Sequence, residues 1–306
     1  MVKTRPRLKT QQELRVDMIK ILVTGGAGFI GSHLCERLVG EGHEVTSLDN
    51  YFTGSIFNHI SGVRYVTGST KDIETLIDPD IEIIYHLGEY SRVEQSFEDV
   101  ELVLEYNKKG TFAVLEFVRK YGARLIYSGS STKFADDNTG RDQSPYAWSK
   151  ASNTDLVINY GEWFGIDYAI TYFYNVYGGR EIKTGKYATA VALFLEKVRN
   201  GEKISVVNPG TQMRNFTYID DIINGIILVG EKGEGDGYGI GSDTAYTIAT
   251  IAEMIAIKGP RPVIEFIPER PGNRMMGEVR TSKTKALGWV EKGNLMNYIM
   301  ELDLCV

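Results

Sequence analysis

The run Ile19-Lys20-Ile21-Leu22-Val23-Thr24-Gly25-Gly26-Ala27-Gly28-Phe29-Ile30-Gly31 constrains this chain more than any other stretch. Ile19, Ile21, Leu22 and Val23 form a short apolar run suited to a central parallel strand buried on both faces. Gly25, Gly28 and Gly31 follow at three-residue spacing. The first glycine permits a turn, the second lets backbone amides approach a pyrophosphate at a helix N-terminus, and the third lets helix pack closely on strand. Helical periodicity starts at once, with Ile30, Leu34 and Leu38 on one face. Glycine-rich turns are common by themselves; strand, turn and helix in this order, followed by a later acid, point to dinucleotide binding.

That acid is Asp49, at the end of a second strand candidate (residues 43–48) and about 20 residues past the glycines, where a carboxylate accepts both ribose hydroxyls. It would repel a ribose phosphate, which favours NAD over NADP; the plainer reading is a cap on the turn from Asn50 to Gly54. The expected cofactor contacts are Gly25, Gly28, Phe29, Ile30, Gly31, Asp49, Asn50, and Leu87 and Gly88 at a later strand end.

The 306 residues, 42% of them hydrophobic, suffice for one large or two modest domains with a sizeable core. A net charge of -6 argues against nucleic-acid binding, which usually needs a basic face. Cys35 and Cys305 are too few and too badly placed for a disulfide framework or a metal site, which fits a reducing cytoplasm. No run approaches membrane-spanning length. Residues 1–17 are polar and basic without an apolar stretch behind them, and read as an N-terminal extension outside the fold.

Further strand candidates, at residues 63–67, 81–87 and 123–128, are separated by helical stretches, the clearest at about 99–120. This alternation implies right-handed crossovers and an α/β fold with a doubly wound parallel Rossmann sheet. A helix from about Tyr146 to Phe164 and a strand at 166–173 close the regular part. Beyond residue 175 the rhythm loosens into single elements between Gly- and Pro-containing turns. The expected division is an NAD-binding domain at 18–175 and, at 176–306, a smaller mixed α/β lobe, some of whose segments return to the first domain.

Tyr146 and Lys150 lie four apart behind Ser144 and Pro145, a sequence that starts a helix and sets both side chains on one face. A nearby ammonium favours phenolate over phenol, which suits a tyrosine acting as a general base. Alone, such a pair is most often an ordinary surface neighbour. With the glycine run, however, Tyr146-x-x-x-Lys150 resembles the extended short-chain dehydrogenase/reductase family, specifically its nucleotide-sugar epimerases and dehydratases. Also similar to that family are Asn107-Lys108-Lys109-Gly110-Thr111, the segments 172–178 and 214–221, and Arg270-Pro271-Gly272-Asn273, so that the match spans about residues 18–290.

The resemblance implies NAD held through turnover, Tyr146 as base, Lys150 on the nicotinamide ribose and Ser130 on the sugar hydroxyl being oxidised. It implies a nucleotide-diphosphate sugar held by Asn175, Arg214 and Arg270, with Ser91 and Asn107 as further substrate contacts, and a homodimer paired through the helices near 99–120 and 146–164. Two departures stand out. Gly88-Glu89 replaces the family's usual small pair and would put a carboxylate beside the nicotinamide. Ser130-Ser131-Thr132-Lys133 replaces the segment where dehydratases carry an Asp-Glu or Asp-Lys pair. Glu89 and Lys133 are candidate proton-transfer groups, with a structural acid and a surface lysine as the plainer reading. On them rests the expectation of a 4,6-dehydratase, with a nucleotide-linked N-acetylglucosamine as a candidate substrate, ahead of a C4 epimerase; a non-catalytic NAD sensor or scaffold is the reading from another class.

Overall fold

The computed structural model describes residues 18–134, 140–259, 263–269 and 275–303. The extension at 1–17 and Arg270 lie outside the described residues. Regular elements follow the chain as β1 (Lys20–Thr24), α1 (Phe29–Gly40), β2 (Glu44–Asp49), β3 (Arg64–Thr67), α2 (Ile73–Leu76), β4 (Ile83–His86), α3 (Val100–Val103), α4 (Gly110–Tyr121), β5 (Arg124–Ser130), α5 (Pro145–Phe164) and β6 (Tyr168–Phe173). After them come β7 (Val176–Tyr177), α6 (Ala190–Arg199), β8 (Ile204–Val207), β9 (Met213–Asn215), β10 (Thr217–Tyr218), α7 (Ile219–Lys232), β11 (Gly235–Ile240), β12 (Ala245–Thr247), α8 (Ile248–Ala256), β13 (Ile264–Ile267), α9 (Ser282–Ala286) and α10 (Leu295–Glu301).

β1 lies inside a seven-stranded sheet of order β3-β2-β1-β4-β5-β6-β11, paired on both sides, with every pair parallel. This is the doubly wound Rossmann sheet that the strand–helix alternation implies. Strand order reverses between β1 and β4, and in such sheets ligands bind at the carboxyl ends beside that point. On one face Ile21 and Val23 pack against Leu34 and Leu38 of α1 and Ile222 and Ile226 of α7. On the other, Leu22, Ile84 and Leu125 meet Val114 and Val118 of α4 and Val157 of α5. A third core joins Phe194 and Leu195 of α6, Ile204 and Val206 of β8, Ile251 and Ile255 of α8, and Leu295 and Ile299 of α10.

The long helix expected near 99–120 is a single run from α3 to α4, but over Leu104–Lys109 its bonding widens to the π pattern. Such bulges turn one residue inward and recur at functional sites; the inward residue here is the fully buried Asn107. α5 begins as its sequence dictates: Ser144 Oγ accepts the Ala147 amide at 3.0 Å, Pro145 opens the first turn, and the helix stops at Gly165 with φ 68°. Among the described residues no helix is long and apolar enough to cross a membrane.

Candidate active site

The carboxyl ends of β1, β2, β4, β5 and β6 open into a cleft of about 530 Å³, within the range of small-molecule sites. Gly25, Gly28, Phe29, Ile30, Gly31, Asp49, Asn50, Leu87, Gly88, Glu89, Ser91, Ser130, Tyr146, Lys150, Asn175 and Arg214 all border it. Residues about 200 positions apart in sequence therefore share one wall, because the parallel sheet brings every strand end to the same side.

At the β1 end, Gly25 adopts φ 73° and its N–H donates to the Leu48 carbonyl at 2.8 Å. A Cβ on Gly31 would stand 2.1 Å from the Gly25 oxygen, and one on Gly25 would stand 2.9 Å from the Gly88 Cα. The turn is thus closed to side chains, and the N-terminal residues of α1 border the cleft. Asp49 accepts the Ala27 amide at 2.9 Å and the Tyr51 amide at 2.8 Å. Burial pushes its carboxyl above the usual range, and the Tyr51 and Ala27 amides partly restore it. The carboxylate therefore ties the glycine turn to β2 and still borders the cleft. Asn50 accepts the Phe52 amide at 3.0 Å. A glycine cradle that a Cβ would fill, a helix N-terminus and a strand-end carboxylate together fit an NAD dinucleotide.

At the β5 end, Tyr146 Oη donates to Ser130 Oγ at 3.1 Å, and Thr132 adds its hydroxyl at 2.9 Å and its amide at 3.3 Å to the same oxygen. Lys150, one turn along α5, donates to Glu89 and to the Ser128 carbonyl, with its ammonium 4.5 Å from the Tyr127 ring centroid. Glu89 is buried and saturated: beside Lys150 it accepts Thr111 Oγ1 at 2.8 Å, Asn153 Nδ2 at 3.0 Å and Tyr127 Oη at 3.2 Å. Burial pulls its carboxyl up, but Lys150, His86 and the hydrogen bonds outweigh this and hold it below the ordinary range. Behind it, burial lowers His86 to about 4, so the ring is neutral. It links Thr24 Oγ1 at 2.7 Å to Thr111 Oγ1 at 3.1 Å. A continuous polar chain thus runs from the first strand to Lys150.

Lys133 extends to Asp236 at 3.4 Å, the acid that also accepts Tyr172 Oη at 2.6 Å. Asn107 uses its amide inside the protein, accepting the Tyr90 amide at 2.6 Å and donating to Ser149 Oγ at 2.9 Å and the Tyr90 carbonyl at 3.2 Å. Asn175, with φ 38°, donates to the Asn215 carbonyl at 3.1 Å, and Arg214 Nη1 to the Met213 carbonyl at 2.8 Å. Reasoning from sequence missed two charged residues at the cleft. Arg92 lies on the loop after β4, where the strand-end rule places ligand contacts; Glu181 follows β7 and is 6% exposed. Burial raises the Glu181 carboxyl to about 7 against the bonds from Thr189 Oγ1 at 2.6 Å and the Gly178 amide at 2.9 Å. Its spacing to the glycine run and to Tyr146 matches no pattern that would mark it.

The sequence matches the model of the NAD dependent epimerase/dehydratase family over residues 21–241. The chain belongs to that family. Its cofactor is accordingly NAD. UDP-glucuronic acid decarboxylase 6 of Arabidopsis thaliana is 30% identical over 297 residues, spanning 90% of this chain and 85% of that protein. UDP-glucuronic acid decarboxylase 1 of Danio rerio is 28% identical over 293 residues, 89% of this chain and 69% of that one. Among solved structures, the UDP-glucose 4-epimerase of Thermus thermophilus in complex with NAD superposes with a TM-score of 0.85 at 28% identity, covering 94% of this chain and 98% of the other. These members of the family differ in reaction, so membership alone leaves the chemistry to the residues around Tyr146.

Proposed function

We propose that this chain is a C4 epimerase of a nucleotide-diphosphate sugar. The observation that carries the reading is the 3.1 Å contact between Tyr146 Oη and Ser130 Oγ, with Lys150 one turn behind, at the strand end facing the glycine cradle. A hydroxyl placed between Ser130 and Tyr146 is oriented by the first and loses its proton to the second. NAD supplies hydride acceptance and return at the adjoining carbon. Lys150 is held by Glu89 and the Ser128 carbonyl, which fixes the cation beneath Tyr146. Arg214 and Asn175, which border the same cleft, suit the diphosphate.

Elimination of water, as in a 4,6-dehydratase, needs a further acid and base at the sugar. The expectation of one rested on Glu89 and Lys133. Glu89 has its oxygens occupied by four side chains, and Lys133 is drawn to Asp236. Both observations favour simple oxidation and return. The family's relatives named for UDP-sugars support the substrate class. The exposed Phe112 and Leu104 beside α4 and Trp148 and Trp163 on α5 support pairing of two copies through these helices.

Incubation with UDP-, dTDP-, GDP- and CDP-sugars in deuterium oxide tests the reaction. The expected product has unchanged mass, an inverted C4 signal and no solvent deuterium on C5; loss of water with deuterium uptake would overturn epimerisation. Tyr146→Phe should retain NAD and lose about 10²–10⁴-fold in turnover. Unaltered turnover in that variant removes Tyr146 from the mechanism.

A further inference from the structure

The oxygen of Ser130 collects donors. Thr132 gives it both a hydroxyl, at 2.9 Å, and a backbone amide, at 3.3 Å, and Tyr146 Oη adds a third at 3.1 Å. Thr132 is 4% exposed, and among the described residues its hydroxyl donates nowhere else. Its place is fixed by the turn that carries it. Residues Ser131–Phe134 form a single 3-10 turn directly after β5, and the two residues behind Thr132 pin that turn from outside. Lys133 reaches Asp236 at 3.4 Å; Phe134 meets the Tyr172 ring edge to face, with centroids 4.8 Å apart, and carries the Arg280 guanidinium 4.4 Å from its own ring centroid.

A hydroxyl has one proton to give and two lone pairs to fill. At Ser130 the lone pairs are taken by Thr132 and Tyr146, and the Ser130 proton has no acceptor among the described residues. Ser130 is 7% exposed and borders the cleft, so the acceptor has to arrive with the ligand. When a sugar hydroxyl enters between Ser130 and Tyr146, Tyr146 Oη passes from Ser130 to the sugar oxygen, while both Thr132 donors stay in place. One setting of the Ser130 rotor then satisfies every group: its O–H points at the sugar oxygen.

Oxidation at C4 gives that setting a use. The hydroxyl proton passes to Tyr146, hydride leaves C4 for NAD, and the oxygen left behind is a carbonyl, which accepts hydrogen bonds and cannot donate one. We propose that Thr132 is a positioning residue that keeps Ser130 a hydrogen-bond donor to the C4 oxygen, so that Ser130 polarises the ketone for hydride return and does not relay the proton to Tyr146. This rests on the C4 reading above and divides the labour within it. Tyr146 alone moves the proton, out and back, and Ser130 stabilises the oxygen from a fixed direction.

Thr132→Val removes the hydroxyl at nearly constant volume and keeps the amide, whereas Thr132→Ser keeps both donors. Each is compared with wild type, Ser130→Ala and the Ser130→Ala/Thr132→Val double variant by initial rates on UDP-glucose and UDP-galactose and on the matching dTDP, GDP and CDP pairs, with NAD content and thermal midpoint as the measures of folding. Thr132→Val is expected to lose about tenfold in kcat at unchanged KM, the weight of one hydrogen bond at the reacting oxygen, and Thr132→Ser to stay within about twofold of wild type. In the Ser130→Ala background Thr132→Val should cost nothing further, because the oxygen it serves is gone. A residue that merely closed the turn would add its own loss to that of Ser130→Ala. Neutron diffraction from wild-type crystals exchanged into deuterium oxide reads the hydroxyls directly: the Thr132 deuterium is expected between the two oxygens and the Ser130 deuterium on the cleft side.

An unchanged kcat in Thr132→Val, a loss that Thr132→Ser shares, or equal losses in both backgrounds overturns the proposal while the C4 reading stands. A Ser130 deuterium lying on Thr132 Oγ1 or on Tyr146 Oη overturns it as well. If wild type oxidises no nucleotide sugar at C4, the C4 reading falls. The neutron map then decides the Thr132–Ser130 contact alone: the expected direction upholds the orientation of Ser130, and the reverse removes it. If Thr132→Val fails to fold, Thr132→Ala carries the comparison.

Discussion

At the scale of single residues, the Glu89–Lys150 pair sets what α5 presents to the cleft. Breaking a buried pair from one side costs about 3–5 kcal/mol, because it leaves the other charge uncompensated. Glu89→Gln should therefore lower the urea midpoint at neutral pH. The Glu89 carboxyl is depressed in the folded protein, so its contribution is present above the unfolded carboxylate range and lost as pH falls through the folded value. The gap between wild type and Glu89→Gln should accordingly close in acid. Glu181 has the opposite sign. Raised from 4.5 to about 7, it favours the folded state below 4.5 and loses that contribution as pH rises through about 7. Wild type should shed roughly 3 kcal/mol across that window relative to Glu181→Gln, read from denaturation at several pH values. Sequence singled out Tyr146 and Lys150 by their spacing on one helix, and Ser130 by the family resemblance at a serine-rich strand end. It could not show that Glu89 faces Lys150, since that contact depends on how α5 packs against the loop after β4.

At the scale of elements, the first strand, turn and helix were legible because each has a local signature and all agree. Gly31→Ala tests the tightest point. Its Cβ would meet the Gly25 oxygen at 2.1 Å, so strand and helix must separate. A stability loss of about 2 kcal/mol is expected from the overpacking, along with near-complete loss of co-purifying NAD and an unchanged far-ultraviolet circular dichroism spectrum. Retained NAD would show that the cradle tolerates the shift. The π turn at Leu104–Lys109 was not legible: helical periodicity runs through it, and the extra residue is accommodated by Asn107 pairing with Tyr90 and Ser149, partners distant in sequence. β11 was also hidden. Its sequence Gly-Asp-Gly-Tyr-Gly-Ile reads as a turn, and only pairing with β6 makes it a strand.

At the scale of the molecule, the alternation of strands and helices disclosed the sheet, whereas the second lobe, built from two-stranded pairs, has no periodic signal. Two copies paired along α4 and α5 would cover Phe112, Trp148 and Trp163. Light scattering should return twice the 34.2 kDa chain mass, and a monomer at micromolar concentration would exclude that pairing. The return of β11 to the main sheet has a consequence for inheritance. Residues 176–218 lead into the lobe, 219–240 run back through α7 and β11 to pair beside β6, and α8 belongs to the lobe again. A single crossover after residue 175 would thus import a foreign edge strand together with the foreign specificity pocket. Recombination between relatives is expected to succeed when the lobe is exchanged in two pieces around an unchanged 219–240, and shuffled libraries should show crossover points clustering on either side of that segment.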